Sequence, residues 1–241
     1  MMKTYFSAFS FSILVAVSAH SQIKLKLPKL FSKDTSQVSE NDAAQGIKEA
    51  LTQGVTTAVL NLNKTDGFFG SEVYKLFLPP DAKKIETTLR KVGMGPQVDK
   101  AILQINRGAE DAVGYAKPIF VDAIKEMTLT DALNIVKGPK DAATQYFKQK
   151  TTEKLTAAFL PSIKSSLDKV NATKYYGDIV NSYNNFPTTF KKVNPDLPSY
   201  AVGKAVDALF DQVAKEEANI RANPIARTTD ILKKVFGSVI K

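Results

Sequence analysis

The chain has 241 residues, 44% of them hydrophobic and 24% charged, with a formal net charge of +9. That balance excludes wholesale disorder and supplies enough apolar surface for a sizeable core, in one large domain or two small ones. There is no cysteine and one histidine, His20, which excludes disulfides, thiolate zinc sites and Cys–His nucleophilic catalysis.

The N-terminus reads as a secretory leader. Lys3 gives the positive start, residues 5–17 (YFSAFSFSILVAV) the apolar stretch, and Ala19-His20-Ser21 the small-x-small cleavage pattern. The apolar run is shorter than the roughly 20 residues that cross a bilayer, so cleavage near Ser21 is preferred to an anchor. The expectation is a signal peptide over 1–21 and a periplasmic or otherwise exported product, not lipid-anchored through cysteine. Without His20 the product has no imidazole, which also removes Ser-His-Asp triads, imidazole zinc and Glu-x-x-His di-iron chemistry. No cofactor is expected. Removing Lys3 leaves 32 basic against 24 acidic side chains, a net charge of +8. Such a charge suits anionic partners, a lipid headgroup surface, a polyanionic glycan or nucleic acid, although the lysines are scattered as on an ordinary solvated surface. The partner expected is an anionic membrane surface or an envelope protein.

Residues 22–40 differ from the rest of the chain. Ile23, Leu25 and Leu27 alternate with Lys24 and Lys26 up to Pro28, and a polar run comes after it. This is a basic-apolar tether and linker that touches an anionic membrane face or docks on the body. A helical domain then occupies 41–241.

Its first helix starts near Asp42, where Asp42 and Gln45 resemble a capping box, and carries Ile47, Leu51, Val55, Val59 and Leu62. Residues 72–78 (EVYKLFL) form the best strand-like run, bounded by Gly70 and Pro79-Pro80. Its partner would be 23–27 or 188–193, at most one short β-hairpin. A short helix with Ile85, Leu89 and Val92 stops at Gly93. Gly93-Met94-Gly95-Pro96 lacks the Lys-Ser/Thr ending of a phosphate loop and reads as an inter-helix turn with Pro96 at N1.

Residues 97–127 are the candidate central element. Val98, Ile102, Ile105, Ala109, Ala112 and Val113 make a wide apolar stripe at 3.6 spacing. Asp99, Leu103, Asn106 and Glu110 form a second column beside it, which predicts a helix covered on two sides. A second half starts at Pro118. Thr128 with Asp131 opens a helix over 129–136, and residues 141–150 make another. Residues 151–170 are a longer helix in which Pro161 predicts a kink or break. A piece over 174–183 precedes the irregular stretch 184–198, with three prolines. Ser199 caps a long helix with Val202, Val206, Leu209, Val213 and Ile220 on one face, and a C-terminal helical segment spans 225–241.

Two polar groups stand out: Asn106, Arg107 and Glu110 on the central helix, and Arg221, Arg227, Thr228 and Asp230 around the last turn. They would either meet around an anionic ligand or form an internal Arg–carboxylate lock, for example Arg227 with Glu110. The lock is preferred because a buried charge is tolerated only when paired. Asp122 and Glu126, at i,i+4, are a solvated face more often than an acid–base pair. Phe147-Lys148 and Tyr175-Tyr176 fit core packing better than base stacking, so no nucleic acid is expected.

Several segments carry a family resemblance: KTDGFFG at 64–70, LRKVGMGPQVD at 89–99 and INRGAEDAV at 105–113. AKPIFVDAIKEMTLTDALNIVKG at 116–138 and IRANPIARTTDILKKVFG at 220–237 extend it. Together they resemble the bacterial domain-of-unknown-function family numbered 4197, over about residues 43–237. The resemblance implies a helical, exported protein and carries over no catalytic residue.

The fold expected is all-α, an irregular single-domain bundle of about ten helices. The expected role is a non-enzymatic envelope module for an anionic or amphipathic ligand or a protein partner. A carboxylate-dependent hydrolase using Glu110 or Asp122 is the alternative, and a purely structural component is the third reading.

Overall fold

A computed structural model of the chain describes residues 40–222 apart from Thr188, with side chains from residue 44 onward. The leader, the tether, the C-terminal segment and Arg227, Thr228 and Asp230 lie outside the described residues. Among those described, eight α-helices and one 3-10 turn make up the regular structure. They are α1 (Glu40–Leu62), the 3-10 turn Pro80–Ala82, α2 (Lys83–Lys91), α3 (Gly95–Val113) and α4 (Ala116–Lys125). α5 (Leu129–Lys137), α6 (Ala142–Asp168), α7 (Ala172–Asn184) and α8 (Leu197–Ala222) complete the set. None of these helices is long and apolar enough to cross a membrane.

α3 is the girder. Its whole apolar stripe, Val98 to Val113, is buried, and Asn106 and Glu110 of the second column are buried with it. The helix packs chiefly on α6, and also against α8, α2, α1 and α4. Gly108 sets how closely α3 meets α6. A Cβ built there would lie 3.0 Å from the Ile163 backbone and 3.0 Å from Ser166 Cβ. The main core gathers around Phe120, whose ring meets Phe147 at 5.1 Å and Phe210 at 6.2 Å, both edge-on. A smaller cluster joins Ile47, Met127, Ala132, Ile135 and Ile220 between α1, α5 and the end of α8.

Several expectations need correction. About ten helices become eight among the described residues, because 141–150 and 151–170 are one helix, α6, and the expected C-terminal helix is not described. No Gly or Pro interrupts the run between 142 and 160. Thr151, Thr152 and Thr156 return their hydroxyls to the carbonyls four residues back, so they do not break it. α6 also runs through Pro161 without a break. α4 starts at Ala116, with Pro118 in its first turn where a missing N–H costs nothing. Pro96 likewise stands in the first turn of α3, one residue after its Gly95 start, and Gly93 before it takes φ 87°, which glycine alone accepts freely. α8 starts at Leu197, and the Asp196 carboxylate, not Ser199, accepts the Ser199 amide at 3.0 Å. The Thr128–Asp131 capping box opens α5. The Thr128 hydroxyl and amide hold the Asp131 carboxyl below its ordinary range.

The largest correction concerns residues 72–78. They form turns and irregular backbone, and no strand exists among the described residues. The role that a neighbouring strand would have is taken by one side chain. Asn106 Oδ1 accepts the Leu76 amide at 2.8 Å, and Asn106 Nδ2 donates to the Leu76 carbonyl at 2.8 Å. The same side-chain amide donates to the Ile102 carbonyl at 2.7 Å. Asn184 repeats the device on the irregular stretch, accepting from Val193 N at 2.8 Å and donating to its carbonyl at 2.7 Å. Buried backbone polar groups must be paired, and a side-chain amide supplies both donor and acceptor from one residue.

Candidate functional site

Of the two polar groups singled out in sequence, the described members engage different glutamates: Arg107 meets Glu110 and Arg221 meets Glu217. Glu110 Oε1 accepts the backbone amides of Phe68 and Phe69, each at 3.1 Å, and Oε2 accepts Arg107 Nη1 at 2.7 Å. Arg107 is part-exposed and its second Nη reaches Asp66 Oδ1 at 2.9 Å. Asn63 Nδ2 donates to the Glu110 backbone carbonyl at 2.6 Å. These bonds fasten the turn after α1 onto α3, with Phe68 fully buried beneath it. Asn106 does the same for Leu76 one turn earlier. If that clip holds the segment in place, Asn106→Ala lowers the unfolding free energy by ~2 kcal/mol in urea titration, since both Leu76 backbone groups lose their partner.

Arg221 belongs to the other assembly. Its guanidinium pairs with Glu217 one turn back, at 2.8 Å, and donates to the Ile135 carbonyl at 2.8 Å. Glu217 is buried. Its Oε1 accepts the Ala143 amide at 3.0 Å, and its Oε2 accepts the Thr144 amide at 2.9 Å and the Thr144 hydroxyl at 2.8 Å. The first turn of α6 is therefore capped by a carboxylate from α8, while Asp141 at its own N-cap makes no side-chain cap. Glu217 was missed in sequence. The available signal was a carboxylate falling on the apolar column of α8, four residues after Val213 and three before Ile220.

Both glutamates spend their oxygens on the protein itself. Asp122 lies on an exposed face and pairs with Lys125 at 3.0 Å. Among the described residues, no three acidic side chains group so as to hold a metal ion.

A different region is concave. A cleft of about 570 Å³ opens between α2, α3 and α7, within the span of roughly 300–1,000 Å³ usual for small-molecule sites. Ile85 and Leu89 of α2 form one wall, Val98 and Ala101 of α3 the floor, and Tyr176 and Ile179 of α7 the other wall. α2 is amphipathic, yet none of its residues is buried. Its apolar side faces the cleft, and Ile85, Leu89 and Ile179 are shared with a smaller hollow of about 210 Å³ on their far side. Met94 and Tyr175 stand exposed at the rim. Glu86, Lys100 and Lys169 supply the charge.

Tyr176 reports the apolar character of this place. Burial, with smaller contributions from Tyr200 and Asp81, pushes its hydroxyl from near 10 up to about 12. The hydroxyl donates to the Asn194 carbonyl at 3.3 Å. The native state then holds a proton that the unfolded chain releases, so stability falls as pH rises from about 10 to 12. Urea midpoints measured across that window decline less steeply for Tyr176→Phe than for the native protein. No sequence pattern pointed to this cleft, because its walls come from three separate helices.

A family model described as "Protein of unknown function (DUF4197)" matches residues 37–237. No curated protein and no solved structure matches the chain.

Proposed function

We propose that this chain, which belongs to the DUF4197 family of proteins of unknown function, is an exported, non-enzymatic envelope module that binds an amphipathic ligand in the α2–α3–α7 cleft. The observation that carries the reading is the cleft: a concave, mainly apolar space of ligand size with charge confined to a few positions. The composition supports it, since the chain has no cysteine and its one histidine lies in the leader-like segment. That leader pattern over 1–21 supports export, and residues 22–40 serve as a tether ahead of a helical body over 41–241. The protein recovered from envelope extracts then begins at Gln22 by mass spectrometry; an intact N-terminus would remove export from the reading.

The hydrolase alternative finds less support. Glu110 has both oxygens engaged, and Asp122 is exposed beside Lys125. Binding is tested with the uncharged probe N-phenyl-1-naphthylamine, whose emission rises in apolar surroundings. Saturable binding is expected, and Ala101→Trp or Ile179→Trp, which fill the space, abolish it while circular dichroism stays native. No saturable binding, or binding indifferent to both substitutions, overturns the reading.

A further inference from the structure

Three charged side chains line the cleft, and they are not equivalent. Glu86 is already answered, by Arg90 Nε at 3.0 Å and Lys83 Nζ at 3.6 Å. Lys100 and Lys169 have no ion pair and no side-chain hydrogen bond among the described residues. The carboxylates beside them in the chain are taken elsewhere. Asp99, next to Lys100, pairs with Arg90 at 2.8 Å, and Asp168, next to Lys169, pairs with Lys164 at 2.9 Å. Among the described residues the cleft therefore presents two ammonium groups without an ion pair, from α3 and from the residue that follows α6, around a mainly apolar trough.

Resting on the binding reading above, we infer that the occupant is a single-chain amphiphile with an anionic head, of the fatty-acid type. Its chain lies against Ile85, Leu89, Ala101 and Ile179, and its carboxylate lies at Lys100 and Lys169. The size fits one chain. With a methylene taken to be about as large as a water molecule in the liquid, ~30 Å³, a space of about 570 Å³ holds a chain of a dozen or more carbons and leaves no room for a second. The apolar wall supplies affinity in proportion to the area removed from water. The lysines choose the sign of the head, since exposed charges bias selection more than they add affinity.

The experiment displaces N-phenyl-1-naphthylamine from the purified protein with dodecanoate, dodecanol or dodecyltrimethylammonium, which share a tail and differ in charge. At low salt, dodecanoate displaces at a concentration about tenfold below that of the cationic analogue, and the gap narrows as salt is added. The Lys100→Glu/Lys169→Glu pair reverses the order, and Lys100→Arg/Lys169→Arg keeps it. If the probe binds and Ala101→Trp abolishes that binding, but the three amphiphiles displace it alike or the cation does so best, the anionic class is overturned and the cleft remains a binding site. If the probe never binds, both readings fail together. A dimer in sedimentation that Ala101→Trp splits would assign the cleft to a second copy of the chain and overturn the proposal.

Discussion

Replacing Glu110 with alanine lowers the unfolding free energy by ~3–4 kcal/mol, because two backbone amides and a guanidinium lose their acceptor at once. Phe68 N is buried, so its amide cannot turn to water after the carboxylate is gone. The Arg107 pair contributes the smaller share, since Arg107 is about one-third exposed and keeps Asp66. Glu110→Gln should fall between the native protein and the alanine variant. One amide oxygen still accepts from the turn, while the new N–H₂ faces Arg107. Urea unfolding measures all three. A Glu110→Ala variant as stable as the native protein would mean the turn at 63–71 is not held by α3.

Glu217→Ala carries a similar expected cost, ~3 kcal/mol, for a different reason. It uncaps the first turn of α6 and leaves Arg221, whose side chain is 18% exposed, without its glutamate. Opening the α6 start exposes the smaller core cluster, where Ala143 sits beside Ile135 and Ile220. Amide exchange should therefore rise first at residues 142–146 and in α5, before the α3–α6 crossing loosens. Adding Arg221→Met to Glu217→Ala recovers part of the loss, because a part-buried positive charge that has lost its glutamate is removed. A loss that adds with no recovery would place the cost in the cap alone.

These two glutamates also show what the sequence could and could not disclose. The α3 stripe was legible because every residue from Val98 to Val113 that follows the 3.6 period is buried by neighbours lying alongside. Glu110 stood out because it lies beside that stripe, but the arginine expected for it, Arg227, lies outside the described residues, and the arginine it meets is Arg107 on its own helix. The identity of what it clamps was not legible, because Phe68 and Phe69 come from a turn about forty residues earlier. Residues 72–78 misled for a related reason. Val73, Tyr74 and Phe77 are residue types enriched in strands, but that preference does not supply a pairing strand, and here the backbone partner of Leu76 is Asn106. The α6 start was placed correctly, but its cap resides on α8 and leaves no mark near Asp141. The cleft is the extreme case. Ile85, Ala101 and Ile179 each look like ordinary core positions in their own helix, and only the gap between those helices makes a site.

Where a ligand sits can be read without assuming a site, by chemical-shift mapping of isotopically labelled protein during a dodecanoate titration. Saturable shifts are expected at Ile85, Leu89, Lys100, Ala101, Tyr176 and Ile179, with the amides around Glu110 and Glu217 still. Shifts centred on Arg107 and Glu110, or none that saturate, would contradict binding in the α2–α3–α7 cleft.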